Sequence, residues 1–148
     1  MKNLLAIFLA TALLSGCGGS SNQIAFSSAR SGDLEIYVMD SDGSNIIQLT
    51  NTGDGNWEPS WSPGGKQIAF SSRRSGNPEI YVMDSDGTDV IQLTNTEDWN
   101  WFPSWSPDGK QIAFTSRRFG DMEIFVMDRD GTNINRLLQT GSAPSWSN

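Results

Sequence analysis

The side chains able to do chemistry in this 148-residue chain are chiefly arginine, tryptophan and aspartate, because histidine is absent and cysteine occurs once, at Cys17. Without histidine there is no Ser-His-Asp triad and no imidazole metal ligand. A single cysteine excludes an intramolecular disulfide and a multi-cysteine zinc site. Acids recur as Asp40-Ser41-Asp42-Gly43-Ser44-Asn45, with copies at 84–89 and 128–133. Alternate aspartates of this kind open calcium loops, yet the twelfth position from Asp40 is Asn51, where an EF-hand requires glutamate. The same aspartates equally serve a turn by bonding its own backbone. Carboxylate pairs also run glycoside hydrolysis, but these acids repeat along the chain and sit in turns. The expectation is a protein without catalytic residues, bound metal or cofactor.

Binding is the better use of what remains. Arg73-Arg74 and Arg117-Arg118 are read as loop residues after an apolar strand, and Trp99, Trp101 and Phe102 as residues of a second loop. Tryptophan and arginine together anchor interfaces. With Asp54, Glu97 and Asp98 they would make a face suited to a protein or a polar glycan. Trp99 stands where an earlier copy of the same segment has Gly55, and Phe102 where it has Glu58. Aromatics that vary between near-identical copies are better contact residues than core, or else they cap the loop. The competing reading pairs the arginines with Asp33, Glu35, Glu79, Asp121 or Glu123. Trp61, Trp105 and Trp146 share one repeat position and are expected to pack between units.

The elements that hold these residues come from an internal repeat. Gln23-Ile24-Ala25-Phe26 returns at 67–70 and at 111–114, a period of 44 residues, and segments 23–66 and 67–110 agree at 34 of 44 positions. The third copy, 111–148, is three residues shorter before Pro144-Ser145-Trp146-Ser147. Each copy reads as short strands: Ile68–Ser72, Glu79–Met83, Val90–Thr94 and Pro103–Ser106, with Asp-Gly turns between them. No helical periodicity follows residue 22. A four-stranded antiparallel unit of about this length is a propeller blade, so the fold class is all-β. The run Pro103 to Phe114, then Glu123 to Asp128 and Asp130-Gly131-Thr132-Asn133, resembles the WD-repeat-like β-propeller unit of the TolB family. The resemblance covers nearly all of residues 23–148, divided as 23–66, 67–110 and 111–148. It implies a six-bladed ring and an envelope protein as partner, such as a peptidoglycan-associated lipoprotein.

Three blades are too few to close. Closed propellers have about 4–8, and the first copy lacks the Pro-Ser-Trp-Ser strand that precedes the others. The chain is therefore expected to be a partial propeller, or half of a six-bladed homodimer in which terminal strands are exchanged. An open arc, a gene fragment or completion by another blade protein are the alternatives.

Residues 1–16 read as an address. Lys2 is followed by an uncharged run, Leu4 to Leu14, too short for a bilayer-spanning helix and the right length for a signal peptide. Leu14-Ser15-Gly16-Cys17 resembles a bacterial lipobox, which implies cleavage before Cys17 and its lipidation. Gly18, in place of an aspartate, implies sorting to the outer membrane, facing the periplasm. Residues 17–22 are then a short linker, whose five residues after Cys17 reach about 17 Å at most. The net charge of −7 argues against a nucleic-acid partner. The expected function is a lipid-anchored, non-enzymatic envelope module that binds a protein. A cell-wall glycan as ligand is the second reading, and a truncated propeller without independent function the third.

Overall fold

The computed structural model describes residues 22–147, so Cys17 and the segments read as a leader (1–16) and most of a linker (17–22) lie outside it. The described chain is all-β, without helix. It forms β1 (Gln23–Ser28), β2 (Glu35–Asp40), β3 (Ile47–Gln48), β4 (Asn56–Trp61), β5 (Gln67–Ser72), β6 (Glu79–Asp84), β7 (Ile91–Gln92), β8 (Asn100–Trp105), β9 (Gln111–Phe119), β10 (Asp121–Asp128) and β11 (Asn135–Leu138). These make three antiparallel sheets in chain order: β1-β2-β3, β4-β5-β6-β7 and β8-β9-β10-β11. The pairs β1-β2 and β5-β6 share one register, Gln23 opposite Asp40 and Gln67 opposite Asp84.

Apolar runs that are continuous rather than alternating belong to strands covered on both faces, and the packing shows why. In the middle sheet Ile68, Phe70, Tyr81 and Met83 face the first sheet and join Ile36 and Val38. Ala69, Ile80 and Val82 face the other way, onto Trp105, Ile112, Phe114, Phe125 and Met127. Trp61 packs against the first core and Trp105 belongs to the second. Trp61 and Trp105 are therefore inter-blade packing, as their recurrence suggested, whereas Trp146 at the same repeat position is exposed. The Asp-Gly turns also lock blade to blade. Gly87, at φ +88°, closes the turn on Asp84, and a Cβ there would lie 2.9 Å from the Leu49 carbonyl oxygen. Asp42, Asp86 and Asp130 accept hydrogen bonds from the hydroxyl and amide of the residue two positions on. Those bonds hold their carboxyls below the usual carboxylate range.

Each blade also encloses a carboxylate. Glu35 is buried, accepting from Thr50 Oγ1 (2.5 Å), the amides of Thr52 and Gly53, and Asn56 Nδ2 (2.7 Å). Glu79 repeats this with Thr94, Thr96 and Asn100. Burial pushes Glu35 upward, but the four donors outweigh it and hold the carboxyl below its ordinary value.

The sheets follow one another along an arc. β1 and β2 pack on β4, and β4, β5 and β6 pack on β8, but no strand of the first sheet reaches the third. The described residues are a partial propeller of three blades, open between its first and last.

Several strand expectations change. The outer strands β3 and β7 shrink to two residues, where Val90–Thr94 suggested five, because Leu93 and Thr94 turn in to bond the Ile80 carbonyl. Trp101 lies in the inner strand β8, not in a loop, as its equivalent Trp57 lies in β4. Arg117 and Arg118 lie within β9, not after it. The third copy has Phe119 where the second has Ser75, and that ring stacks on Phe125 at 6.2 Å, which extends the hairpin. Pro144–Ser147 is not paired as a strand, because no strand among the described residues lies beside it.

Candidate functional site

The inner strands begin where the blade-crossing loops meet. The Arg73 amide donates to the Gly55 carbonyl (3.2 Å), and the Arg117 amide to the Trp99 carbonyl (3.0 Å). This repeated tie sets each arginine beside the residue before an inner strand. The result is a ladder of cations and rings across two blades. The Arg73 guanidinium stands 5.7 Å from the Trp57 ring and 6.0 Å from Trp99, and the Arg117 guanidinium stands 5.7 Å from the same Trp99 ring. Trp101 meets Trp99 edge-on at 5.4 Å and 79°. Such stacks hold a surface side chain in place at about 0.5–1 kcal/mol each.

Acids surround the ladder without neutralising it. Glu97, Asp98, Trp99, Arg117 and Gly120 line one cleft, and a second, which shares the Asp and Arg repeat positions, is lined by Asp33, Asp54, Trp57 and Arg73. Among the described residues the ion pairs are Lys110–Asp108 and Arg136–Glu123, so neither ladder arginine is paired. Both are exposed; Arg117 Nε donates to the Gly120 carbonyl (3.4 Å), and the terminal N–H groups of both remain available to an acceptor. The paired-arginine alternative does not hold for Arg73 or Arg117.

The second arginine of each pair does something else. Arg74 lies over Phe70 (5.2 Å) and Tyr81 (4.9 Å) and donates to Ser72 Oγ and Asn56 Oδ1. Arg118 lies 4.4 Å over Phe125 and donates to Ser116 Oγ. Arg30 repeats the arrangement over Phe26 and Tyr37. Burial lowers the Arg74 and Arg118 pKa values, with nearby acids and Tyr81 pulling the other way for Arg74. These side chains brace the blade. The signal was present in the sequence: Arg30, Arg74 and Arg118 occur in all three copies, whereas Arg73 and Arg117 correspond to Ala29 in the first.

Phe102 is also placed apart from the ladder. It lies on a bulge in β8 at φ +52°, as Glu58 does in β4 at +57°. The bulge turns the backbone amide toward the preceding blade. The Glu58 amide donates to Ser27 Oγ (3.1 Å), and the Phe102 amide to the Glu58 carboxylate (2.9 Å), which also accepts from Ser71 Oγ. Burial raises the Glu58 pKa, and the Phe102 and Ser71 donors oppose that rise without cancelling it. A carboxyl raised in the folded state binds protons the unfolded chain has lost, so its ionisation weakens folding as pH rises above about 4.5. Glu58→Gln should therefore be more stable than the parent at neutral pH. The gain should vanish below about pH 4, where both carboxyls are protonated, as followed by urea unfolding across that range.

The TolB beta propeller domain family matches residues 18–148. The chain belongs to that family. It is similar to putative TolB of Agrobacterium tumefaciens, at 30% identity and a TM-score of 0.74, over 85% of this chain and 50% of that one. It is likewise similar to TolB of Acinetobacter baumannii, at 29% identity and a TM-score of 0.72, over 85% of this chain and 33% of that one. Among curated proteins, the Tol-Pal system protein TolB of Geobacter sulfurreducens is 45% identical over 49 residues, 33% of this chain. The chain spans half or less of the TolB structures and 11% of that curated relative. Propellers of enzymes share the fold as well. A gluconolactonase from Xanthomonas campestris superposes with a TM-score of 0.63 at 16% identity, which is a likeness of fold alone.

Proposed function

We propose that this TolB-family propeller is a non-enzymatic interaction module of the bacterial cell envelope, held at the outer membrane by lipid on Cys17, and that it binds a protein through the Arg73–Trp99–Arg117 face. The observation that carries this reading is the ladder itself: two unpaired guanidinium groups and three indoles, held by backbone ties and ringed by Asp54, Glu97 and Asp98. Exposed Trp and Arg held in fixed positions lose little entropy on binding. The absence of histidine supports a binding role over acyl-transfer chemistry. The Tol-Pal names of its relatives make an envelope partner the first to try. A second copy of the chain would complete the ring.

The test is retention of envelope proteins from detergent extract on the immobilised chain, with and without Trp99→Ala and Arg117→Ala. Each substitution should weaken capture of a bound protein about tenfold or more, because anchor residues are worth roughly 2 kcal/mol or more. Arg74→Lys, which touches only its own blade, should leave capture unchanged. Equal capture by all variants would rule the face out, and ladder-dependent binding to peptidoglycan fragments instead would select the glycan reading. Anchoring is tested separately: a fatty-acid label should appear on the wild-type chain and be lost in Cys17→Ala.

A further inference from the structure

We infer that two copies of the chain exchange their last described segments, Pro144–Ser147 of each copy pairing as the missing inner strand with β1 of the other. This rests on the reading of the chain as half of a ring. In the second and third blades the inner strand pairs with the next one in fixed register, Ser60 opposite Ala69 and Trp61 opposite Ile68, and likewise Ser104 opposite Ala113 and Trp105 opposite Ile112. In the first blade β1 pairs only with β2, so its inner edge is bare among the described residues. The side chains record the loss of cover: Ile24 is 43% exposed, whereas Ile68 and Ile112 are 0% exposed.

The missing strand is present at the far end of the arc, already in position. The Gly141 amide donates to the Met122 carbonyl as the Asn100 amide does to Pro78, at 2.8 Å in both. The Ala143 amide, at φ +52°, donates to Thr115 Oγ1 (2.9 Å), the bond that Glu58 makes to Ser27 at an earlier step of the repeat. Trp146 Nε1 donates to the Ser104 carbonyl (3.0 Å). Pro144–Ser147 therefore lies against the third blade where the next inner strand belongs, yet nothing pairs with it. Trp146 is 36% exposed, against 6% for Trp105.

In both filled junctions the tryptophan sits between the back of one blade and the front of its own. Trp146 has the back of the third blade and lacks a front. The bare face of the first blade, with Ile24, Phe26 and Met39, is such a front. Within one chain the two do not meet: no strand of the first sheet reaches the third. A two-fold pair makes the contact twice and leaves no bare inner edge. It also gives six blades, the multiple of three within the roughly 4–8 that closed propellers contain. The register then follows: Trp146 opposite Ile24 and Ser145 opposite Ala25 of the second copy.

The experiment uses the full chain carrying Cys17→Ser. Sedimentation should give twice the protomer mass. One preparation carries Ala25→Cys and another Ser145→Cys; unfolded together, refolded as a mixture and oxidised, they should form a disulfide-linked heterodimer. A control pairing Ser145→Cys with Asn77→Cys, away from the inner edge, should not. Ile24→Asp changes a residue that is exposed in the single arc, so it should convert the pair to protomers while leaving the spectroscopic signature of the sheets intact. A dimer in which the Ala25→Cys and Ser145→Cys chains do not cross-link would overturn the exchange and leave the half-ring reading standing. A folded chain that sediments as a protomer would overturn both.

Discussion

Arg136→Leu should cost about 3 kcal/mol of folding stability, although it changes a residue outside the sheet interior. Two blades satisfy their enclosed glutamate with a threonine and an asparagine: Thr50 and Asn56 for Glu35, Thr94 and Asn100 for Glu79. In the third copy the corresponding positions are Leu138 and Gly141. Glu123 is still buried, and its carboxylate is answered by Arg136 Nη1 at 3.2 and 3.5 Å. Arg136 stands where the other copies have Gln48 and Gln92, and it also lies 4.8 Å over the Phe119 ring. Removing it leaves a carboxylate that water reaches poorly and that no neutral donor replaces. The expected value is the low end for a broken buried pair, because the arginine is itself exposed and only the glutamate is buried. Urea unfolding should show the loss. Glu123→Gln in the same chain should recover a large part of it, since an amide needs no counter-charge. Full stability in Arg136→Leu would mean that Glu123 is satisfied without the arginine.

This swap explains what was legible in the sequence and what was not. The blade was legible because a 44-residue period, Asp-Gly turns and Trp-Ser-Pro segments are each local signals, and they agree. The arginine–tryptophan grouping was legible as a cluster, but its division was not. Arg117 and Arg118 are adjacent on β9 and so point to opposite sides; Arg73 and Arg74 divide in the same way in the turn just after β5, one facing the loops and the other stacked on the blade. Nothing in the pair itself says which; comparison with Ala29-Arg30 does. The enclosed glutamates escape a sequence reading because a charged residue in a strand reads as solvent-facing. Their donors lie 15 and 21 residues further on, beyond any local pattern. Only the joint recurrence of Glu, Thr and Asn in two copies, and the joint loss of Thr and Asn in a third that keeps its glutamate, could have exposed them. Phe102 reads as a loop contact because a bulge, unlike a turn, has no glycine to mark it at these positions.

The three phenylalanines at one repeat position turn the open arc into a measurement. Phe70→Ala should cost about 4 kcal/mol, the usual range for emptying a fully buried ring site. Phe70 is wholly buried, stacks on Tyr81 at 5.8 Å and joins the core shared by the first two blades. Phe114 is its equivalent in the second core, stacks on Phe125 at 5.8 Å, and should cost the same. Phe26 has the same ring partner, Tyr37 at 5.7 Å, and the same arginine above it, but is only half-buried. In a single arc, Phe26→Ala should therefore cost about half as much, because the transfer free energy scales with the apolar area withdrawn from water. If two arcs meet as inferred, the front face carrying Phe26 lies against the third blade of the second copy. Its cost should then rise toward that of Phe70 as protein concentration rises, because association adds to apparent stability by mass action. Chemical unfolding of the three variants at two concentrations about a hundredfold apart reads both effects. A Phe26 cost that stays low and flat while the other two are large is the result expected of an arc that never closes.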